Sequence, residues 1–293
     1  MSKKKPLITL YVPGNRKDLI DKGPRFAPDG VVFDLEDAVP VNLKESVRHD
    51  LVKVIPDYPL TSLVRVNSED RFLEGDLRTV VCKGLYGIIL PMVEHADQVK
   101  RADVIIGEAE KAAGIAAGTV KLFLLIETPL GVRNCFDTCT AAKRVESIVY
   151  GSAEDGDLQA EMKSSFSIEG YELMYPRQKS LLDARAAKLP YVLDGAYSGV
   201  KDEDGLRRDC TVSKRLGFNG RTLIYPGHIG PARQIYEPDL KEVAKYKQMV
   251  VEFEKAVAEG KAATVYQGNM IDYAMFKRAK LFLSNADLYT ESA

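Results

Sequence analysis

Eight short apolar runs, rich in Val, Ile and Leu, recur along the chain with charged stretches between them. They are LITLYVPG (7–14), GVVFDLED (30–37), SLVRVN (62–67), GIILPMV (87–93), KLFLLIET (121–128), SIVYGS (147–152), YVLDGAY (191–197) and TLIYPG (222–227). Each run is continuous rather than alternating, the pattern of parallel strands buried on both faces. The intervening segments VNLKESVRHDLVKVI (41–55), HADQVKRADVIIGEAEKAA (95–113) and DEDGLRRDCTVSKRLGF (202–218) carry helical spacing. Strand followed by helix eight times over predicts an α/β fold, a (β/α)8 TIM barrel. Neither glycine-rich phosphate-loop pattern occurs, which disfavours a doubly wound nucleotide-binding sheet.

After about Glu237 the pattern changes. A helix is expected over KEVAKYKQMVVEFEKAVAEGKA (241–262), followed by YQGNMIDYAMFKRAKLFL (266–283). Met270, Ile271, Met275 and Phe276 in that second segment need a surface to cover. Residues 1–236 therefore read as the barrel domain. Residues 237–293 read as a C-terminal helical arm on the barrel or on a neighbouring subunit.

Composition narrows the function. Among 293 residues, 41 are basic and 42 acidic, for a net charge of −1. That balance removes the electrostatic footprint of a nucleic-acid binder. No apolar run has the length of a membrane span. The start MSKKKP lacks the apolar stretch of a signal peptide, so a cytoplasmic protein is expected. Cys82, Cys135, Cys139 and Cys210 are too few and scattered for a disulfide framework. Cys135 and Cys139, four apart, read as reduced, half-buried thiols on one helix face. His49, His95 and His228 share no motif, which argues against zinc hydrolysis and a histidine triad.

In such a barrel the site lies at the C-terminal ends of the strands. Those ends carry Arg16, then Asp34, Glu36 and Asp37, then Arg65 and Asn67, then Glu127, then Glu154, Asp155 and Asp157, and Asp194. Carboxylates converging on one mouth repel one another unless a cation joins them. An oxygen-loving divalent ion such as Mg²⁺ fits this set, which contains no His or Cys. Arg16 and Arg65 would then bind the substrate's anionic groups. Metal beside arginine suits a reaction that develops charge on oxygen, such as enolate formation. Glu36, Asp37 and Asp155 could equally cap the following helices. Arg65, inside an apolar run, needs a buried partner or a site. Asp194 reads as a cap or as a group behind the site.

The segments LYVPGNR (10–16), VVFDLEDAVP (31–40), VRVN (64–67), ILPMVE (89–94), LLIETPLGV (124–132), YGSAED (150–155) and DGAYSGVKDEDGL (194–206) resemble the citrate lyase β-subunit family. That family stands with the malyl-CoA and citramalyl-CoA lyases in the HpcH/HpaI aldolase group. The resemblance runs in order to about Pro238, and PGNR with DLEDAVP is specific to the lyase branch. It implies a Mg²⁺-dependent barrel, a homotrimer or hexamer, that cleaves a carbon–carbon bond. It further implies Glu127 and Asp155 as metal ligands and Arg65 as the contact to the nascent enolate. Glu36 and Asp37 would line the same pocket, Arg16 and Asn67 would contact the substrate or its CoA arm, and NMID (269–272) would deliver Asp272 as an acid/base into a neighbouring subunit. Two departures stand out. The loop after Asp155 runs Gly156-Asp157-Leu158-Gln159, so Asp157 competes as ligand. Strand 8 reads Ile224-Tyr225-Pro226, with His228 beyond it.

The expected function is Mg²⁺-dependent cleavage of a 3-hydroxyacyl thioester, such as citramalyl-CoA, malyl-CoA or a citryl thioester, to an α-keto acid and an acetyl thioester. The alternatives are an aldolase releasing pyruvate from a free hydroxy-keto acid, and a lyase subunit active only inside a multi-subunit complex. Saturable CoA binding separates the first alternative from the lyase.

Overall fold

The computed structural model describes residues 4–290. Residues 1–3, part of the stretch read for a signal peptide, and the last three of the arm lie outside it. Eight parallel strands close into a barrel in sequence order. They are β1 (Ile8–Pro13), β2 (Gly30–Asp34), β3 (Thr61–Arg65), β4 (Leu85–Leu90), β5 (Lys121–Ile126), β6 (Val145–Tyr150), β7 (Leu193–Asp194) and β8 (Gly220–Leu223). The (β/α)8 architecture expected from the apolar runs is the one observed. Every strand stops before its apolar run does. The clearest case is β7, where only two of the seven residues in YVLDGAY join the sheet.

The helices are α1 (Lys17–Lys22), α2 (Lys44–Val54), α3 (Asp70–Val80), α4 (Ala96–Ala112), α5 (Pro129–Arg133), α6 (Cys135–Thr140), α7 (Asp157–Met162), α8 (Tyr171–Ala186), α9 (Glu203–Leu216), α10 (Ile229–Tyr236), α11 (Leu240–Ala258) and α12 (Tyr273–Asp287). Val31, Phe33, Val64, Ile88, Leu122, Leu124 and Ile148 point outward from the strands and pack under these helices. Val32, Leu63, Ile89, Phe123, Val149 and Leu193 fill the barrel interior. This two-sided burial explains why the strands read as continuous apolar runs. Cys135 and Cys139 lie on α6 with their sulfurs 3.8 Å apart, and both are fully rather than half buried. No helix among the described residues is long and apolar enough to cross a membrane.

The arm is not wholly helical. A hairpin of β9 (Ala263–Tyr266) and β10 (Asn269–Asp272) separates α11 from α12, so NMID is a strand. Ile271 is buried against Met249 and Phe253 of α11, whereas Met270 and Met275 remain exposed. The far end of α12 closes the N-terminal end of the barrel. Leu288 packs with Leu7 and Tyr191 in the interior cluster, and the Tyr289 hydroxyl donates to the Asn219 carbonyl.

Candidate active site

A cleft of about 440 Å³ opens at the C-terminal ends of the strands, lined by Tyr11, Asp34, Asp37, Arg65, Glu127 and Ser152 among others. Its organising pair follows from strand register. Asp34 ends β2 and Arg65 ends β3, and the two residues face each other across the ladder. Arg65 Nε and Nη2 donate to the two Asp34 oxygens at 2.7 and 2.8 Å, a two-pronged bond that fixes the guanidinium plane. The same carboxylate accepts from the Glu36 and Ala38 amides at 3.0 and 3.1 Å, so Asp34 also builds the LEDA turn.

That turn sends Glu36 and Asp37 to the remaining edge of Arg65, where Nη1 lies 3.2 Å from Glu36 Oε2 and 3.1 Å from Asp37 Oδ2. The guanidinium also sits 5.1 Å from the Tyr11 ring centroid. Burial lifts the Glu36 carboxyl to about 7, against the pull of Arg65 and with the help of Asp37. Burial opposes the Arg65 charge as well, but the Asp34 hydrogen bonds and surrounding acidic groups outweigh it.

Glu127 follows the last residue of β5. Gly151, just past β6, leaves it room: a Cβ there would stand 2.7 Å from the Glu127 Cβ. Glu127 Oε1 accepts from the Met92 amide at 2.9 Å. Met92 adopts a left-handed φ of 52°, backbone strain of the kind that collects at functional sites. Burial raises the Glu127 carboxyl to about 8; the Met92 amide opposes this, and the charges of Glu36 and Asp157 add to it. Asp155 also has a left-handed φ, 57°, in the exposed β6–α7 loop, and its amide donates to Gln159 Oε1 at 2.8 Å.

These donors suit a hard cation. Among the described residues no three His, Cys, Asp or Glu side chains are preassembled around a metal position. Magnesium, however, needs only one or two carboxylates and completes its shell with water and substrate oxygens. Glu127 offers a buried carboxylate with no basic side chain hydrogen-bonded to it among the described residues. Ser152 Oγ is a buried oxygen at the cleft wall that lacks a hydrogen-bond partner there.

The structure places Arg65, Asp37 and Glu127 in the cleft lining and pairs Glu36 with Arg65 outside that lining. It leaves Asp155 in the exposed loop that follows Ser152 and Ala153, with Asp157 exposed at the start of α7, and sets the other anticipated residues elsewhere. Arg16, at the start of α1, is exposed and held by Asp18 at 2.8 Å. Asn67 was expected to touch substrate; it is buried and turned away instead. Its Nδ2 donates to Asp76 at 2.6 Å, and its Oδ1 accepts from Lys44. It lies two residues beyond Arg65, where β3 has ended and strand alternation no longer sets its direction, so the chain turns it toward α2 and α3. Asn67→Ala should therefore cost about 1–3 kcal/mol by leaving Lys44 and Asp76 short of a partner, read from urea unfolding. Asp272 caps α12 by accepting from the Met275 amide at 2.9 Å and does not line its own chain's cleft. His228 is buried beside Tyr225 and is likewise absent from the cleft lining.

Read from the sequence, Asp34 counts among the strand-end carboxylates without a role of its own, although the signal was there: an acid and a base end two adjacent buried runs at the same level. Tyr11, Ser152 and Thr222 carried no such signal.

Fold and site together define a (β/α)8 enzyme whose mouth gathers carboxylates around one arginine, a class suited to lyase and aldolase chemistry. The chain belongs to the HpcH/HpaI aldolase/citrate lyase family, whose pattern matches residues 7–226. It is 35% identical to citrate lyase subunit beta of Haemophilus influenzae, over 94% of this chain and 95% of that one. It is 30% identical to a (3S)-malyl-CoA thioesterase of Cereibacter sphaeroides, over 95% and 93%, and 28% identical to rat mitochondrial citramalyl-CoA lyase, over 92% and 83%. In fold it is similar to a Mycobacterium tuberculosis protein crystallised with magnesium, acetoacetate and coenzyme A. That match has a TM-score of 0.71 and 22% identity, covering 96% of this chain and 98% of that one.

Proposed function

We propose that this protein is a Mg²⁺-dependent lyase that cleaves a 3-hydroxyacyl thioester to an α-keto acid and an acetyl thioester. The observation that carries the reading is the part-buried Arg65 held edge-on by Asp34 beside a buried Glu127 that hydrogen-bonds to no basic side chain among the described residues. Family membership and the named relatives support the reaction class. Glu127 and Asp155 would hold the Mg²⁺, which would supply positive charge for the oxygen atoms of the hydroxy-acid portion.

Arg65 binds the thioester oxygen, where negative charge collects as the carbon–carbon bond breaks to an enolate. Asp34 keeps the guanidinium in plane. Asp37, whose side chain is 73% exposed, is the partner that an incoming substrate oxygen displaces at least cost. The hydroxyl proton must leave to a carboxylate. Glu36, titrating near 7, is poised for that role within this chain. Asp272 reaches a cleft only from a second copy, which fits a homotrimer or hexamer, with residues 237–293 as the exchanged arm. Arg16, on the mouth side of α1, meets the CoA or acyl-carrier arm. Four buried cysteines that form no disulfide among the described residues suit a reducing compartment, and the cytoplasm is our reading.

Incubating the protein alone with citramalyl-CoA and malyl-CoA, with and without Mg²⁺, should give magnesium-dependent release of acetyl-CoA and the matching keto acid. Release of free CoA with malate or citramalate would instead indicate thioester hydrolysis. No turnover from folded protein would end the stand-alone lyase reading.

A further inference from the structure

The barrel is thinnest at β7. Its two residues share one register pair with β6 and two with β8, so few ladder bonds hold the segment that follows. Yet that segment, Gly195 and Ala196, forms a wall of the cleft. Gly195 is pressed onto the end of β6: a Cβ there would stand 2.2 Å from the Tyr150 carbonyl and 2.8 Å from Ser152 Oγ. Displacing Gly195 therefore displaces Ser152 and the start of the loop that carries Asp155.

Behind this wall lies a charge-balanced quartet, buried except for the part-buried Asp209. Thr222 faces the cleft, so its neighbour Arg221 points the other way, between barrel and helices. The Arg221 side chain has no exposed surface. Its Nε and Nη2 donate to the Gly195 carbonyl at 3.0 and 2.6 Å, and Nη2 lies 2.8 Å from Asp209 Oδ2. Its Nη1 donates to Cys210 Sγ at 3.1 Å. Arg177 Nη1 donates to the other Asp209 oxygen at 2.9 Å, and Arg177 also pairs with Asp194, whose Oδ1 accepts from the Gly195 amide at 3.0 Å. Both polar atoms of the Gly195 backbone are thus held by the quartet. Buried ion pairs seldom stabilise a fold more than apolar residues of the same size do, so stability alone is a poor reason for this arrangement.

We infer that Arg221 is a positioning residue: through the Gly195 carbonyl it holds the β7 wall of the cleft against Ser152, replacing the ladder bonds that β7 lacks. The consequence for turnover rests on the lyase reading above; the consequence for the wall does not. The test uses Arg221→Met combined with Asp209→Asn, which removes one charge of each sign and leaves Arg177 paired with Asp194. Arg221→Lys serves as the conservative variant.

For the double variant we expect a melting temperature within a few degrees of wild type and a kcat lower by about 100-fold, the scale of a small misplacement, with KM changed far less. Arg221→Lys should recover part of the kcat. Amide exchange of residues 193–200 should accelerate while β1 to β5 stay protected. Wild-type kcat in the folded double variant, or unchanged exchange at 193–200, overturns the inference. If wild type itself fails to cleave thioesters, the lyase reading falls, and the exchange comparison alone decides whether Arg221 holds the wall.

Discussion

Glu127→Gln is expected to lower kcat/KM for thioester cleavage by at least ~10³-fold while leaving the barrel folded. Gln keeps the shape and can still accept from the Met92 amide, but it brings no charge to hold a cation. A readout independent of turnover comes from thermal stability. Burial raises the Glu127 carboxyl from the usual 4.5 to about 8. Between those values the folded chain retains a proton that the unfolded chain has released, so this group's contribution to stability falls as pH rises through the window. Gln carries no such penalty. Metal-free Glu127→Gln should therefore match wild type at pH 4 to 5 and melt several degrees higher at pH 8.5, given roughly 2–4 °C per kcal/mol for a chain this size. Adding Mg²⁺ at pH 8.5 should raise the wild-type melting temperature and leave the variant where it was. Retained magnesium-dependent turnover in the variant would sink the assignment of Glu127.

Arg65→Met should be severe in two separable ways. It strands Asp34, buried, with Glu36 and Asp37 beside it and no cation between them. Breaking a buried ion pair from one side costs about 3–5 kcal/mol, measurable as a shift in the urea midpoint. Turnover should disappear as well. Adding Asp34→Asn to Arg65→Met removes the stranded charge, so stability should largely return while activity does not. Recovery of both would mean that Arg65 serves only the fold. Arg65→Lys keeps the charge but cannot make the two-pronged bond to Asp34, and should fall between wild type and Arg65→Met in stability with little activity.

The barrel, the carboxylate-rich mouth and the position of Arg65 and Glu127 at that mouth were legible in the sequence alone. Each rests on local pattern: apolar runs of strand length, helical spacing between them, and charged residues at the ends of runs where a parallel barrel places its chemistry. What a given end residue faces is a different matter, because the strand alternation that sets a side chain's direction stops where the strand does, and the sequence does not mark that point. Arg65 and Asn67 lie two apart in one motif, yet one meets Asp34 in the cleft and the other is bound by Lys44 and Asp76 outside it. NMID, read within a helical arm, is a hairpin strand, and that arm meets the barrel at the end opposite the mouth. The pairing of Asp34 with Arg65, the burial that raises Glu127, and the quartet behind Gly195 join residues tens of positions apart. Only tertiary structure decided these, because they depend on which distant groups the closed barrel brings within hydrogen-bonding distance and shields from water.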